Sequence, residues 1–229
     1  NYSGGTLNIN NGDLVTTGTV NLSGSGTRSI NSDVVNNGTF TVTDTTVNYG
    51  GTFTNNGAYI SDPSVNSFTD LVINSQGYLQ AELGDQFLIS GDFTNYSTQF
   101  SLWDTDDAFL GFDGTDVNHV YTLNGISSTF KWGTLYLASG DDLSILGAEG
   151  NLFFDTIILG DGLSQLDDIT SSFNIYYNSL VDSQNNVLDA AGYSLSGTGK
   201  LYQGAAVPEP ATLLFFSFGL LGLAFKNKK

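Results

Sequence analysis

The chain has 229 residues, 23 Asp plus Glu against six Lys plus Arg, a net charge of −17 and no cysteine. This composition leaves no material for a disulfide framework, a thiol nucleophile or a Cys-ligated metal. It also disfavours nucleic acid and anionic polysaccharide as partners, because both demand clustered bases and only Arg28, Lys131 and Lys200 precede residue 207.

A surface so acidic, rich in Gly, Asn, Ser, Thr and Asp, suits a soluble extracellular body kept dispersed by self-repulsion. The chain opens on Asn1 with neither a methionine nor a basic-then-apolar leader, which reads as a processed or truncated N-terminus.

Self-similarity dominates the first hundred residues. LVTTGTV from Leu14, VVNNGTF from Val34, FTNNGAY from Phe53, VINSQGY from Val72 and FTNYSTQF from Phe93 recur about every twenty residues. Between them apolar residues alternate, as in Leu7 and Ile9, Val20 and Leu22, or Phe40 and Val42, which is the period of a β-strand. Gly and Asn at fixed offsets are expected to supply positive-φ or side-chain-bonded corners.

A strand-and-turn period near twenty predicts one coil of a parallel β-helix, with equivalent residues stacked in ladders. Phe40, Tyr59, Tyr78 and Phe100 are expected to form an aromatic stack, and Asn36, Asn55 and Asn74 an amide ladder. An antiparallel sandwich of short strands is the alternative.

From Leu110 the repeat loosens and then resumes in 132–145 and 154–166, where Leu135 and Ile157 fall at the same point of the pattern. Leu163, Leu166, Ile169 and Phe173 fit one short helix capping or flanking the coil. Residues 174–203 read as short strands with Gly-Ser turns. The expected organisation is solenoid coils over 1–110, continued coils with longer turns over 111–203, and a linker and terminal segment over 204–229.

β-Helices can carry polysaccharide hydrolases and lyases, so carboxylates matter. Asp141 with Asp142, Asp161, and Asp167 with Asp168 are the candidates, but all sit in apparent turns where Asp serves the backbone. A lyase lacks the bases it needs, and His119, the only histidine, has no Gly-x-Ser-x-Gly elbow to work with. The body is therefore expected to be non-enzymatic and to need no cofactor. Calcium is the one ion to weigh, on the oxygen-rich loops DTDD (104–107), DGTD (113–116) and GDD (140–142).

The last residues are of a different kind. Val207-Pro208-Glu209-Pro210 precedes ATLLFFSFGLLGLAF (211–225), an uncharged run, and then Lys226-Asn227-Lys228-Lys229. The prolines suit a helix start, and Leu213, Leu214, Phe215, Phe216, Phe218, Leu220, Leu221, Leu223 and Phe225 suit hydrocarbon. Lys226, Lys228 and Lys229 suit a basic stop on the cytoplasmic side. Fifteen helical residues reach only about 22 Å against a slab of about 30 Å, so a buried terminal helix is the competing expectation.

That order of parts resembles the PEP-CTERM sorting signal of Gram-negative exported proteins, over Val207 to Lys229. The resemblance implies recognition of Pro208, Glu209 and Pro210 by an exosortase, an envelope protease, with the apolar helix and lysines acting as a stop-transfer anchor. Lysines stand where arginine-rich ends are frequent in the family.

The expectation is an all-β parallel β-helix with a single C-terminal transmembrane helix. Such a protein would be exported, anchored in the inner membrane with its body outside the cytoplasm, and open to later release. Its expected partners are the membrane, the exosortase, and surface matrix or exopolysaccharide, in a structural or adhesive role. A secreted carbohydrate-active enzyme is the alternative.

Overall fold

A computed structural model describes residues 2–3, 7–10, 12–114, 117–123, 130–147 and 150–204. Strands pair in parallel with the equivalent strand of the next coil: Thr27 lies beside Thr46, Thr46 beside Val65, and Val65 beside Gln86. Backbone hydrogen bonds therefore run along the stacking axis, and the parallel β-solenoid is the fold.

Each coil has three faces. The first is built by Thr19–Ser23, Thr39–Thr43, Ala58–Asp62 and Tyr78–Gln80. The second takes Thr27–Ile30, the front of Thr46–Asn55 and of Val65–Ile73, then Gln86–Ile89 and Phe109–Phe112. The third takes Val34–Asn36, the back halves of those two long strands, then Phe93–Asn95, Asn118–Leu123 and Asp142–Gly147. Later coils follow the same scheme, with Lys131–Leu137, Asn151–Leu159 and Asn174–Asp182 running round a corner without interruption.

Alternation puts one side of every strand inside. Val47, Tyr49, Phe53, Phe68, Leu71 and Phe87 are each at most 2% exposed, and the buried side chains form one continuous apolar column. The expected aromatic stack holds for its first pair: the rings of Phe40 and Tyr59 are stacked 5.7 Å apart. Beyond it the register corrects the reading. Tyr59 pairs with Leu79 and not with Tyr78, and Phe100 is an exposed loop residue. Stacking continues on the second face through Tyr49, Phe68 and Phe87.

The amide ladder differs in the same way. Asn36 Nδ2 donates to Asn55 Oδ1 at 2.8 Å inside the coil, but the next residue in that column is Ile73. Asn74 lies one residue on, so it faces the other way, where Asn74 donates to Asn56 and Asn56 to Asn37. Two ladders thus run side by side, one buried and one external.

Glycines of the repeat also have a different reason from the expected one. Gly38 and Gly57 do not have positive φ. A Cβ on Gly38 would lie 2.1 Å from the Gly18 carbonyl oxygen, and one on Gly57 2.1 Å from that of Gly38. Only glycine lets successive corners approach so closely.

Between Leu163 and Phe173 the expected helix is a 3₁₀ segment, Gly162–Asp168, followed by the strand Ile169–Ser171. It sits between the second and third faces of a late coil, where Leu166 is buried against the column, and does not cap the end.

The expectation of a transmembrane helix is corrected. Among the described residues no helix is long and apolar enough to cross a membrane; the 3₁₀ segment spans roughly 14 Å at about 2 Å per residue. Ala211–Phe225, on which the expectation fell, lies outside the described residues. Membrane contact through such a helix and inner-membrane anchoring, which both depended on it, are withdrawn with it.

Candidate functional site

The residues read as a sorting motif (Val207, Pro208, Glu209, Pro210), as an anchor (211–225) and as a basic stop (Lys226, Lys228, Lys229) lie outside the described residues. The nearest described strand is Leu201–Gln203, which pairs with Ile175, Tyr176 and Tyr177 and brings the chain off the first face at the last described coil.

The carboxylates weighed for hydrolysis have separate local duties. Asp161 accepts from the Ser139 hydroxyl and from the Gly140 backbone N–H, and these bonds hold its carboxyl below the usual range. Asp167 accepts from the Tyr193 hydroxyl. Asp142 opens a third-face strand, its own N–H bonded to the Val117 carbonyl. Asp168 ends the 3₁₀ segment. Asp141 is buried and turned to His119. The carboxylates of Asp141, Asp161 and Asp167 are thus engaged with neighbouring coils and turns.

His119 is buried within a strand. Its Nδ1 lies 2.9 Å from the Gly91 carbonyl oxygen, and its Nε2 lies 3.2 Å from Asp141 Oδ2. A carbonyl can only accept, so Nδ1 carries a proton, and the Nε2 contact then requires one further proton shared with the carboxylate. The pair ties three successive coils, through Gly91, His119 and Asp141. Sequence reading missed this bond because the partners are 22 residues apart, one coil, and the repeat is weak at that point.

A second buried carboxylate escaped the sequence altogether. Asp85 accepts from the Ser61 hydroxyl, from the Ser64 N–H at 2.8 Å and from the Glu82 N–H at 2.9 Å. Burial pushes its pKa up, with those hydrogen bonds opposing. Asp85 is 1% exposed, enclosed by the backbone that it holds in place.

For calcium, the loops give little convergence. Among the described residues no group of three or more His, Asp or Glu side chains could hold a metal ion. Asp106 and Asp155 share Lys131, at 3.8 and 3.3 Å. Asp116 lies outside the described residues.

The surface feature of most chemical interest is a shallow groove of about 300 Å³ on the second face. Its polar lining comes from Asn31, Asn48, Ser67, Thr69, Ser90 and Asp113, one or two from each successive coil. Register places them there: Asn48 and Ser67 are paired, and Ser67 pairs with Leu88. The sequence signal for it was the run of small polar residues at outward positions, which the repeat alone cannot separate from ordinary solvated surface.

Against known families, the model of the PEP-CTERM protein-sorting motif matches residues 206–229. No curated protein and no solved structure matches the chain. The chain carries a PEP-CTERM sorting motif behind a parallel β-solenoid body, the combination of an exported protein and consistent with an exosortase substrate.

Proposed function

We propose that this exported protein is a structural or adhesive component of the surface matrix, delivered through its sorting motif, with Pro208, Glu209 and Pro210 as the residues an exosortase reads. The match over residues 206–229 carries the delivery half of this reading. Proline has no N–H to give a strand partner and disfavours a helical residue before it, a chemistry that suits a segment a processing enzyme must take up in extended form. The matrix half is supported by the long solenoid flank, whose repeated Asn, Thr and Ser rows suit many weak contacts better than one deep site.

Two experiments test the reading. Co-expression of the full chain with and without an exosortase, followed by mass determination of the C-terminus, is expected to give a processed form only when the enzyme is present. Changing Pro208 and Pro210 to Ala should abolish it, and unchanged processing would sink the recognition role. Incubation with a panel of polysaccharides is expected to show association without turnover. Turnover that vanishes with Asp→Asn changes among 141, 142, 161, 167 and 168 would replace the structural reading with that of a carbohydrate-active enzyme.

A further inference from the structure

We propose that the outer surface of the second face, from Asn48 to Ile158, is a binding groove for a neutral polysaccharide chain. The inference rests on the matrix-association reading above and gives it a site and a ligand class.

One outward row runs along this face through Asn48, Ser67, Leu88, Gly111, Tyr136 and Ile158, each paired in register with the next. The row changes character after Ser67, from amide and hydroxyl to apolar and aromatic. Within the apolar part stands Gly111. A Cβ there would lie 2.8 Å from Phe109 Cε1, 3.1 Å from Leu88 Cδ2 and 3.4 Å from Tyr136 Cδ1.

The missing side chain is therefore filled by its neighbours. The rings of Phe109 and Tyr136, with centroids 5.9 Å apart, lean from two sides over the glycine. Both remain half-buried and not fully covered. The result is an aromatic platform laid against the sheet, continuous through Leu88 with the polar groove of Asn48, Ser67, Thr69, Ser90 and Asp113.

A pyranose has the matching anatomy. Its axial C–H groups form an apolar, slightly positive face that is attracted to the negative face of an aromatic ring. Its hydroxyls, donors and acceptors at once, pair with amide, hydroxyl and carboxylate groups. With coils about 4.8 Å apart, the six positions of the row span roughly 24 Å, room for several sugar residues in line.

Other occupants fit less well. Among the described residues that line the groove Asp113 is the only charged one and none is basic, so an anionic polymer meets repulsion there. A peptide adding itself as a strand needs an open edge, and Phe109–Phe112 is already paired on both sides.

The test uses the full chain in affinity gel electrophoresis with soluble β-glucan, galactomannan and alginate, alongside co-sedimentation with extracted surface matrix from an exporting bacterium. Retardation by at least one of the two neutral polymers and none by alginate is expected. Tyr136→Ala should weaken retention about tenfold, the loss of one ring contact. Gly111→Ala, which keeps every binding group and only lifts the rings, should weaken it several-fold with the melting temperature held.

Neutral retention unchanged in both variants overturns the site while leaving matrix association standing. Retention by alginate alone overturns the ligand class. Failure to bind any polymer together with failure to co-sediment overturns the matrix reading as well.

Discussion

The coils up to Asn95 and those from Phe109 onward share three faces but are held together by different means. In the early coils polar groups line part of the interior: Asn36, Asn55, Asn66, Ser61, Ser64 and Asp85 are all buried. In the late coils the interior is mostly aliphatic, with Leu135, Leu137, Leu143, Ile145, Ile157 and Leu159 buried beside a few polar groups such as His119, Asp141, Gln165 and Ser171, and the Asn66 column continues as Leu135 and Ile157. A hydrogen bond is directional, so an amide ladder fixes the length of a coil, and Thr27, Thr46 and Val65 follow at nineteen residues. Apolar contact has no such direction, and the step from Phe109 to Thr134 lengthens to twenty-five.

The largest expected effect comes from the joint between the two regions. Trp132 is fully buried, its ring edge-on to Phe87 at 5.4 Å and to Phe93 at 6.2 Å, both early-coil residues. Trp132→Ala should cost about 4 kcal/mol. If the regions unfold as one unit, calorimetry will show a single transition at lower temperature; if they are separate, the variant will split it in two.

Next in size is the corner spacing. Gly57→Ala drives a methyl group into the Gly38 carbonyl, and a backbone atom cannot step aside, so about 3 kcal/mol is expected. Gly140, in a late turn, has positive φ and nothing within 4 Å of where a Cβ would stand, so Gly140→Ala should cost only roughly 1 kcal/mol of left-handed strain. Equal losses in chemical denaturation would remove the distinction between the regions.

Smaller again is the amide ladder. Asn55→Ala removes donors to the carbonyls of Gly57 and Tyr78 and leaves the buried Asn36 amide one acceptor short. About 2 kcal/mol is expected. An early region that tolerated it as well as an apolar column tolerates Leu→Met, below about 1.5 kcal/mol, would show that the ladder does not set the coil.

This contrast also explains what could be read in advance. Where corners depend on particular chemistry, as at Gly38, Gly57, Asn36 and Asn55, the residue recurs and the coil is visible in the sequence. The sequence repeat is off by one residue at Val72, because Leu71, Val72 and Ile73 are all apolar and only pairing with Phe53 and Asn55 shows that Leu71 and Ile73 are the inward ones. Beyond Phe109 any large aliphatic residue fills the column, so little recurs, yet Leu135 and Ile157 do pair as their spacing predicts.

The site was less legible than the fold. The sorting motif announces itself as a contiguous segment, Val207 to Pro210, and the family match covers it. The platform around Gly111 is assembled from Leu88, Phe109 and Tyr136, one from each of three coils, and the meaning of the glycine appears only when its neighbours are seen leaning over it. The link between His119 and Asp141 was hidden for the same reason.

That link gives the smallest effect and the sharpest sign. Burial pushes the Asp141 carboxyl up; the hydrogen bond and charge of His119 oppose this, and Asp113 and Asp142 add to the rise. An acid raised in the folded state adds stability that is fully present below its unfolded pKa and is lost as pH climbs through the folded value. Asp85, in the early region, and Asp106, between the two regions, are raised too, both by burial first of all. Asp161 and Asp182 are lowered, so their contribution is present above the unfolded value and is lost as pH falls through the folded one. The melting temperature should therefore rise as pH drops from neutral to about 4, and fall again under stronger acid. Asp141→Asn sharpens the comparison, because an amide N–H can donate to His119 Nε2 while Nδ1–H stays on the Gly91 carbonyl. The variant should melt no lower than the parent at neutral pH and should show a shallower acid rise, with the remainder carried by Asp85 and Asp106. A melting curve whose pH dependence is the same with and without the Asp141 carboxyl would place the whole effect at Asp85 and Asp106, away from the late coils.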